Sequence, residues 1–382
     1  MKRLDLHGNV VAWFAPHIST CSSSHDEAHT GRPAAMDTIG LDLHKRESQL
    51  CIGQDDGTLI EKRIATTHDR FTAMLGDRPP ARILLEASTE SEWVARHLES
   101  LGHEVIVADP NFAAMYATRS RRTKTDRRDA RTLMEACRLG AYRRAHRVSD
   151  ARRHVRAQLA VREALVRTRT RYVSIAKALV RRDGLRVAAS ESHLVAKRIS
   201  ALELSPALGN ELAPLFTVLA PINEQIAAAD RQLAVLCEED PIVALLATAP
   251  SVGAITASAV VATIDDISRF ASAHQFEAFL GLVPCERSSG EKRRVGAITK
   301  AGNARVRYLL VEAGWRILRS KTAETAALRA WANRIALRRG NRIAVVALAR
   351  RLAGILFAMW RDGKRYDAAM LRAPRMAVTQ AS

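Results

Sequence analysis

The sequence of 382 residues has few aromatic side chains and no closely spaced cysteines. Phe, Trp and Tyr make up 5% of the chain, so we do not expect nucleobase stacking on aromatic platforms to be a main binding mode. No Cys-x-x-Cys pair is present, which argues against a zinc site or a disulfide framework and fits a reducing cytoplasm. The scattered cysteines are Cys21, Cys51, Cys137, Cys237 and Cys285.

Long hydrophobic runs are also lacking. No uninterrupted apolar stretch is long enough to span a bilayer, and no signal-peptide pattern is present. We therefore expect no membrane partner and a cytoplasmic location.

Positive charge is abundant. Lys and Arg number 59 against 40 for Asp and Glu, which gives a net charge of +19. This excess indicates a polyanionic partner, and nucleic acid is favoured over a membrane surface. With few aromatic residues available, contact with the phosphate backbone is the expected mode.

The first third of the chain predicts an α/β fold. Residues 1–35 have no clear period and are interpreted as a disordered extension. In residues 36–150, three apolar segments with short connections, at 38–44, 48–52 and 58–64, predict an antiparallel meander. Alternating helix and strand patterns follow, so we expect a mixed sheet.

The remaining two thirds predict mostly helices. Residues 151–240 read as a basic helical connector or coiled-coil dimerisation arm, in which Arg152, Arg153 and Arg156 belong to a face of almost one sign. Residues 241–365 are expected to form a second compact, mostly α-helical domain. Residues 366–382 are interpreted as a loose tail.

Two carboxylates lie three residues apart in a basic segment that includes Lys124. Thr125 is a good N-cap, so Asp126 and Asp129 are expected in the first turn of a helix, on one face. Such carboxylates repel each other unless a cation lies between them, and basic neighbours can hold a phosphate beside that cation. Taken alone, the pattern is more typical of a solvated helix start.

Two further carboxylates strengthen the metal-site interpretation. Asp42 lies inside a predicted strand, where Asp is disfavoured, and Glu86 ends a buried-type strand. Together with Asp126 and Asp129 they could converge on one edge of the sheet. Such a set can hold two Mg²⁺ ions ~4 Å apart.

A loop with Ser288, Ser289 and Gly290 is surrounded by cations. Its default interpretation is a flexible turn, but Gly290 permits close approach of a ligand and the cations could stabilise a phosphoryl transition state. Further upstream, Pro250-Ser251-Val252-Gly253 precedes a small-residue helix and is either a phosphate-binding turn or an ordinary one.

Five motifs occur in order between Thr38 and Ala313: IGLDLHK, LLEAS, KTDRRDA, PSVGAITA and GLVPCERSSGEKRRVGAITKAGNARVRYLLVEA. Together they resemble the DEDD transposases of bacterial insertion-sequence family one-hundred-ten, relatives of the Piv DNA invertases. The resemblance implies a RuvC-like, RNase H-type fold for the first domain. One departure is Ser251, because the family commonly has Pro-Gly-x-Gly at this turn.

The resemblance also implies a mechanism and partners. Asp42, Glu86, Asp126 and Asp129 would hold Mg²⁺, and Ser289, or alternatively Ser288, would attack DNA to form a covalent intermediate. Donor and target DNA, a structured bridge RNA and a homodimer that assembles into a tetramer are implied, with nucleoid association during recombination. The candidate nucleic-acid contacts are Lys124, Arg152, Arg153, Arg156, Arg287, Lys292, Arg293, Arg294 and Lys300.

Two other functions remain open from the residues alone. A RuvC-like nuclease would use the same four carboxylates with water as the nucleophile. A basic nucleic-acid-binding protein would use the charge excess, and its acidic cluster would be structural only.

Overall fold

A computed structural model describes residues 36–54, 56–116, 125–286 and 295–368. The chain forms two compact units with a boundary between Arg147 and Val148. Each unit is described by itself below. The predicted finer divisions, near residues 150 and 240, stay predictions.

The first unit is built on a five-stranded sheet with the order β3-β2-β1-β4-β5. Strand β1 pairs antiparallel with β2, and β2 with β3, whereas β4 runs parallel to both β1 and β5. The predicted meander and mixed sheet are therefore confirmed. The strands are β1 Thr38–Leu43, β2 Glu47–Gly53, β3 Leu59–Ala65, β4 Arg82–Glu86 and β5 Glu104–Ala108.

Helices cover both faces of this sheet, because the inner strands are apolar on both sides. On one face Ile39 and Leu41 pack with Phe71 and Leu98 in a single core. On the other face Leu84 and Ile106 pack with Leu133. The helices are α1 His68–Leu75, α2 Ser91–Ser100 and α3 Asp126–Arg138, with a short 3-10 helix at Ala113–Tyr116.

The second unit is mostly helical, as the sequence predicts. Its strands, β6 Pro284–Glu286 and β7 Val295–Ile298, form a small antiparallel pair. Short 3-10 helices occur at Ser192–Leu194 and Ile267–Arg269. The helices are α4 Asp150–Arg182, α5 Val195–Ser200, α6 Pro206–Glu238, α7 Pro241–Leu246, α8 Ala254–Ile264, α9 Ala273–Phe279, α10 Ala304–Arg319, α11 Ala326–Arg339 and α12 Asn341–Asp362.

Two hydrophobic cores hold the second unit together. The longer helices α4 and α6 pack along each other, and at one end they share a core that contains Val180 and Leu212. Near their other end, Leu159 and Leu233 join the larger core around Phe276 and Phe357. Helices α4 and α6 therefore form a pair that packs into the larger core through Leu159 and Leu233.

Helices α6 and α12 have the length and apolar composition that could span a membrane, judged by those two properties alone. Much of the apolar stretch of α12 is buried inside the second unit, whereas that of α6 is mostly exposed. Val218 and Val235 on α6 are 42% and 56% exposed.

Candidate metal centre

Glycine 40 brings helix α3 directly onto strand β1. A Cβ atom at this position would lie 2.0 Å from the Ala130 carbonyl oxygen and 2.3 Å from the Met134 nitrogen. Only glycine therefore allows this approach. Because side chains alternate along a strand, Asp42 lies on the same face as Gly40, beside the start of α3.

The start of α3 forms as the sequence predicts. The Thr125 side chain caps the helix by accepting a hydrogen bond from the Arg128 backbone N–H. Asp126 and Asp129 both fall in the first turn, where the positive end of the helix dipole favours carboxylates. Asp126 is exposed, whereas Asp129 is buried.

Parallel strands bring Asp42 and Glu86 together. In the pairing of β1 with β4, Leu41 lies opposite Leu85, and each carboxylate follows the last paired residue on its strand. The Tyr116 hydroxyl donates a 2.6 Å hydrogen bond to Glu86 Oε1, which orients this carboxylate.

Histidine 44 completes a tight group that the sequence prediction missed. Its Nε2 atom lies 3.3 Å from Asp42 Oδ2 and 3.5 Å from Asp126 Oδ1. One ligand atom from each of these three residues lies within 4.8 Å of the others, a spacing that could hold a metal ion. His44 follows Leu43, the last residue of β1, and the packing of α3 against β1 places it between Asp42 and Asp126, so no local sequence pattern indicates this position.

Burial and neighbouring charges act strongly on Asp42. Its Oδ2 atom is buried and accepts no hydrogen bond from any part of the chain that the structure describes; His44 is within ion-pair distance only. Burial raises the pKa of Asp42 to about 6, His44 opposes the rise, and the carboxylates of Asp129, Asp126 and Glu86 add to it. The other three predicted carboxylates thus act on Asp42, and a bound cation would relieve this repulsion.

Three of the arginines predicted to contact nucleic acid already have protein partners. Arg152 pairs with Asp240, and Arg156 donates hydrogen bonds to the carbonyl oxygens of Ala262 and Thr263. Both side chains are partly buried, so they tie α4 into the second unit. Arg153 lies 3.5 Å from Asp150 on its own helix.

Of the other predicted site residues, Lys300 belongs to the second unit and the rest lie outside the described residues. Lys300 is exposed and follows β7. Both candidate nucleophiles fall in the segment that joins β6 to β7. The residues that lie outside the described part of the chain are Lys124, Arg287, Ser288, Ser289, Lys292, Arg293 and Arg294.

The unusual turn at Ser251 has a clear backbone feature. Ser251 has a φ of 61°, in the left-handed region that favours glycine. This explains physically why glycine suits the position and why serine is a departure.

Two family models match the chain. Residues 39–182, which include all four carboxylates, match the DEDD transposase of the IS110 type. Residues 243–329 match the transposase family named IS116/IS110/IS902. The chain belongs to the IS110 family of transposases. This membership identifies the first unit as RuvC-like and the chain as an enzyme that cuts and rejoins DNA.

Relatives of this IS110 family transposase match along most of its length. A probable family 20 transposase of Pseudomonas aeruginosa is 29% identical, with 85% of this chain and 96% of the relative covered. The transposase of insertion element IS1328 from Yersinia enterocolitica is 28% identical, with 85% and 97% covered. That of IS1111A from Coxiella burnetii is 27% identical, with 84% and 88% covered.

Proposed function

We propose that this transposase is an RNA-guided DNA recombinase that cuts and rejoins DNA through a serine nucleophile, assisted by Mg²⁺ at Asp42, Glu86, Asp126 and Asp129. The observation that supports the metal site is the buried Asp42 Oδ2 atom, which accepts no hydrogen bond from the described residues and is repelled by three more carboxylates. The transposase family supports the chemistry on DNA.

The donor set suits a hard divalent cation. Carboxylate oxygens are the ligands that Mg²⁺ prefers, and it typically takes a few of them and keeps water for the rest. When bound, the metal would lower the pKa of the attacking hydroxyl and offset charge on the phosphate. Asp126 and His44 are both exposed, which is compatible with access of a substrate to the site.

Ser289 is the proposed nucleophile, with Ser288 as the alternative. The serine Oγ loses its proton and forms a bond to phosphorus, the bond from phosphorus to the deoxyribose oxygen breaks, and the released oxygen takes up a proton to become a hydroxyl. Rejoining reverses these changes when a DNA hydroxyl attacks the phosphoserine and the serine regains its proton. Nearby cations such as Arg287 and Lys292 would stabilise the negative charge of the transition state.

The RNA and oligomer parts of the proposal come from the family resemblance. The net charge of +19 supports a polyanionic partner, and α4 presents exposed cations at Arg171, Arg181 and Arg182.

One assay tests the nucleophile. The purified protein is incubated with Mg²⁺, the RNA encoded beside the gene, and target DNA, and a denaturing gel detects protein–DNA adducts. We expect an adduct that Ser289→Ala abolishes, whereas the matched neighbour Ser288→Ala retains it. Cleavage without any adduct would instead show a nuclease that uses water. Absence of cleavage would show a binding protein only.

Omission of the RNA tests guidance in the same assay. We expect the adduct to be lost without RNA and to be restored when a matching RNA is added. Equal adduct yield with and without RNA would contradict RNA guidance while leaving the serine mechanism intact.

A further inference from the structure

The outer face of α10 carries aromatic side chains that the fold does not use. Tyr308 is 62% exposed. Trp315 is partly exposed and is not among the residues that pack against the core of the second unit, whereas Trp331 on α11 packs against it. In a chain with 5% aromatic residues, an exposed Tyr308 and a partly exposed Trp315 on one helix make this face a candidate binding surface.

Helical spacing places these residues together. Tyr308, Trp315 and Arg319 are separated by seven and four residues, so they lie along one side of α10. The opposite side, with Leu310, Gly314 and Ile317, is buried. Two helical turns separate Tyr308 from Trp315, which is about 10 Å along the axis.

Positive charge accompanies the aromatic rings. The Arg319 guanidinium carbon lies 5.2 Å from the centroid of the Trp315 ring, in cation–π contact, and Arg316 beside it is exposed. Glu312 also borders this face, and within α10, α11 and α12 the other acidic residue is Asp362. Many arginines occupy the same three helices, so the local balance is strongly positive.

We propose that Tyr308, Trp315 and Arg319 form a stacking platform for unpaired nucleobases of a single-stranded nucleic acid. Aromatic rings and arginine planes stack on the π-face of any base, while Arg316 and Arg319 supply charge for the adjacent phosphates. The platform deepens the proposed function and rests on it, because strand exchange exposes unpaired nucleotides.

A protein partner fits this face less well. Among the α10 side chains, Tyr308 is the large apolar residue with high exposure, and its exposed neighbours include Arg316 and Arg319. A protein interface of useful size needs a continuous apolar patch. Two separate rings, with Arg316 and Arg319 at the C-terminal end of the same face, match a nucleic-acid strand better.

Binding of labelled oligonucleotides to the full-length protein tests the platform. Three probes share one unstructured sequence of about 15 nucleotides, near the largest site size of a single binding domain: single-stranded DNA, single-stranded RNA and duplex DNA. We expect Tyr308→Ala and Trp315→Ala each to weaken binding of a single strand by roughly 5- to 100-fold. Duplex binding should change by less than about twofold.

Matched variants separate stacking from general effects. Tyr308→Phe and Trp315→Phe keep a ring and should restore most of the single-strand affinity. Leu337→Ala removes an 88% exposed apolar side chain from α11 and should have no effect. Arg319→Gln should lower the slope of log K against log salt by about 0.7, whereas the two alanine variants should leave that slope unchanged.

Several outcomes would overturn the platform. The first is an unchanged affinity for single strands in both alanine variants. The second is an equal loss of affinity for duplex and single-stranded probes. The third is a failure of the two phenylalanine variants to restore single-strand affinity. A shift in sedimentation of the alanine variants without a binding change would assign the face to a protein contact. Stronger loss with RNA than with DNA would identify the guide RNA as the occupant, and the reverse would identify an exposed DNA strand. The adduct assay on the unaltered protein tests the proposed function separately.

Discussion

Burial and repulsion from neighbouring carboxylates act together on Asp42. Its pKa rises from 3.8 to about 6, so the folded protein binds a proton here more tightly than the unfolded chain does. Stability from this group is therefore highest at low pH and falls as pH rises from about 4 to about 6. A shift of about two pKa units corresponds to a cost of up to about 3 kcal/mol above that range.

The variant Asp42→Asn should remove this cost. In EDTA at about pH 8, we expect its free energy of unfolding to exceed that of the unaltered protein by about 1–3 kcal/mol, and the difference to vanish near pH 4. Urea unfolding across this pH range measures the difference in free energy of unfolding and its dependence on pH. Added Mg²⁺ should then stabilise the unaltered protein but not the variant. A variant that is less stable at pH 8 would show that burial does not strain the ionised carboxyl.

Asp126 permits a cleaner test of catalysis, because its side chain is 49% exposed and its replacement removes little packing. We expect Asp126→Asn to lower strand cleavage by more than about 100-fold, since even residues that only support metal ligands cost 10- to 100-fold when removed. DNA affinity and melting temperature should change little.

The matched control for that variant is Asp69→Asn, which makes the same change in the first turn of α1. It should retain full cleavage activity. Equal strand cleavage by the Asp126→Asn and Asp69→Asn variants would show that Asp126 has no catalytic role and is an ordinary residue of a helix first turn.

These residues also show what sequence alone can supply about a site. Thr125, Asp126 and Asp129 could be placed because a cap and a first turn are local patterns. Asp42 and Glu86 could be associated with them because the ends of adjacent parallel strands meet. The position of His44 between two carboxylates was missed, because it depends on the packing of α3 against β1, which no local pattern gives.

At the scale of elements, the contact of α3 with β1 positions the site. Gly40→Ala would place a methyl group 2.0 Å from the Ala130 carbonyl oxygen, and backbone cannot yield as a flexible side chain can. We expect α3 to move away from the sheet, with a loss of about 3 kcal/mol or more in stability and much weaker Mn²⁺ binding. Urea unfolding and titration with Mn²⁺ measure the two effects.

Gly53→Ala is the graded control for Gly40→Ala. The added methyl there would meet the Met134 sulfur at 2.8 Å, and a methionine side chain adapts easily. This variant should lose less than about 1.5 kcal/mol and keep its metal affinity. If both glycine variants behaved alike, the close approach of α3 would not be what holds the carboxylates together.

Helix α4 carries two classes of arginine, which sequence could not separate because both fit a basic face. Arg156→Gln removes hydrogen bonds to Ala262 and Thr263 and should lower stability by about 1–3 kcal/mol. Arg171→Gln, at an exposed site, should leave stability unchanged and reduce nucleic-acid affinity, with a salt slope lower by about 0.7–0.9. Thermal melting and binding across a salt series distinguish them; equal effects of the two variants on the melting temperature would contradict the division.

At the scale of the whole molecule, the sheet was predictable and the second unit was less so. Period-two apolar patterns and short connections define β1 to β3 and their order. The helices of the second unit were predictable as helices, but their partners were not, since ridge-into-groove packing joins residues distant in sequence. Leu159 on α4 and Phe357 on α12, for example, belong to one core, and nothing in either segment alone indicates this.

The boundary at Arg147 and Val148 leads to a last prediction. Both faces of the five-stranded sheet are covered by helices from residues 68–138, so the first unit contains its own core. At the end of this unit, Arg147 forms ion pairs with Glu92 and Glu99 of α2, which fix the end of the segment to the unit. The fragment 36–147 should therefore unfold cooperatively on its own and bind Mn²⁺ within about threefold of the full chain, because every proposed ligand lies inside it. Circular dichroism melting and Mn²⁺ titration test both expectations. A broad, non-cooperative melt would show that the first unit needs the second to fold, whereas a cooperative melt without Mn²⁺ binding would show that the carboxylates need a group from elsewhere in the chain.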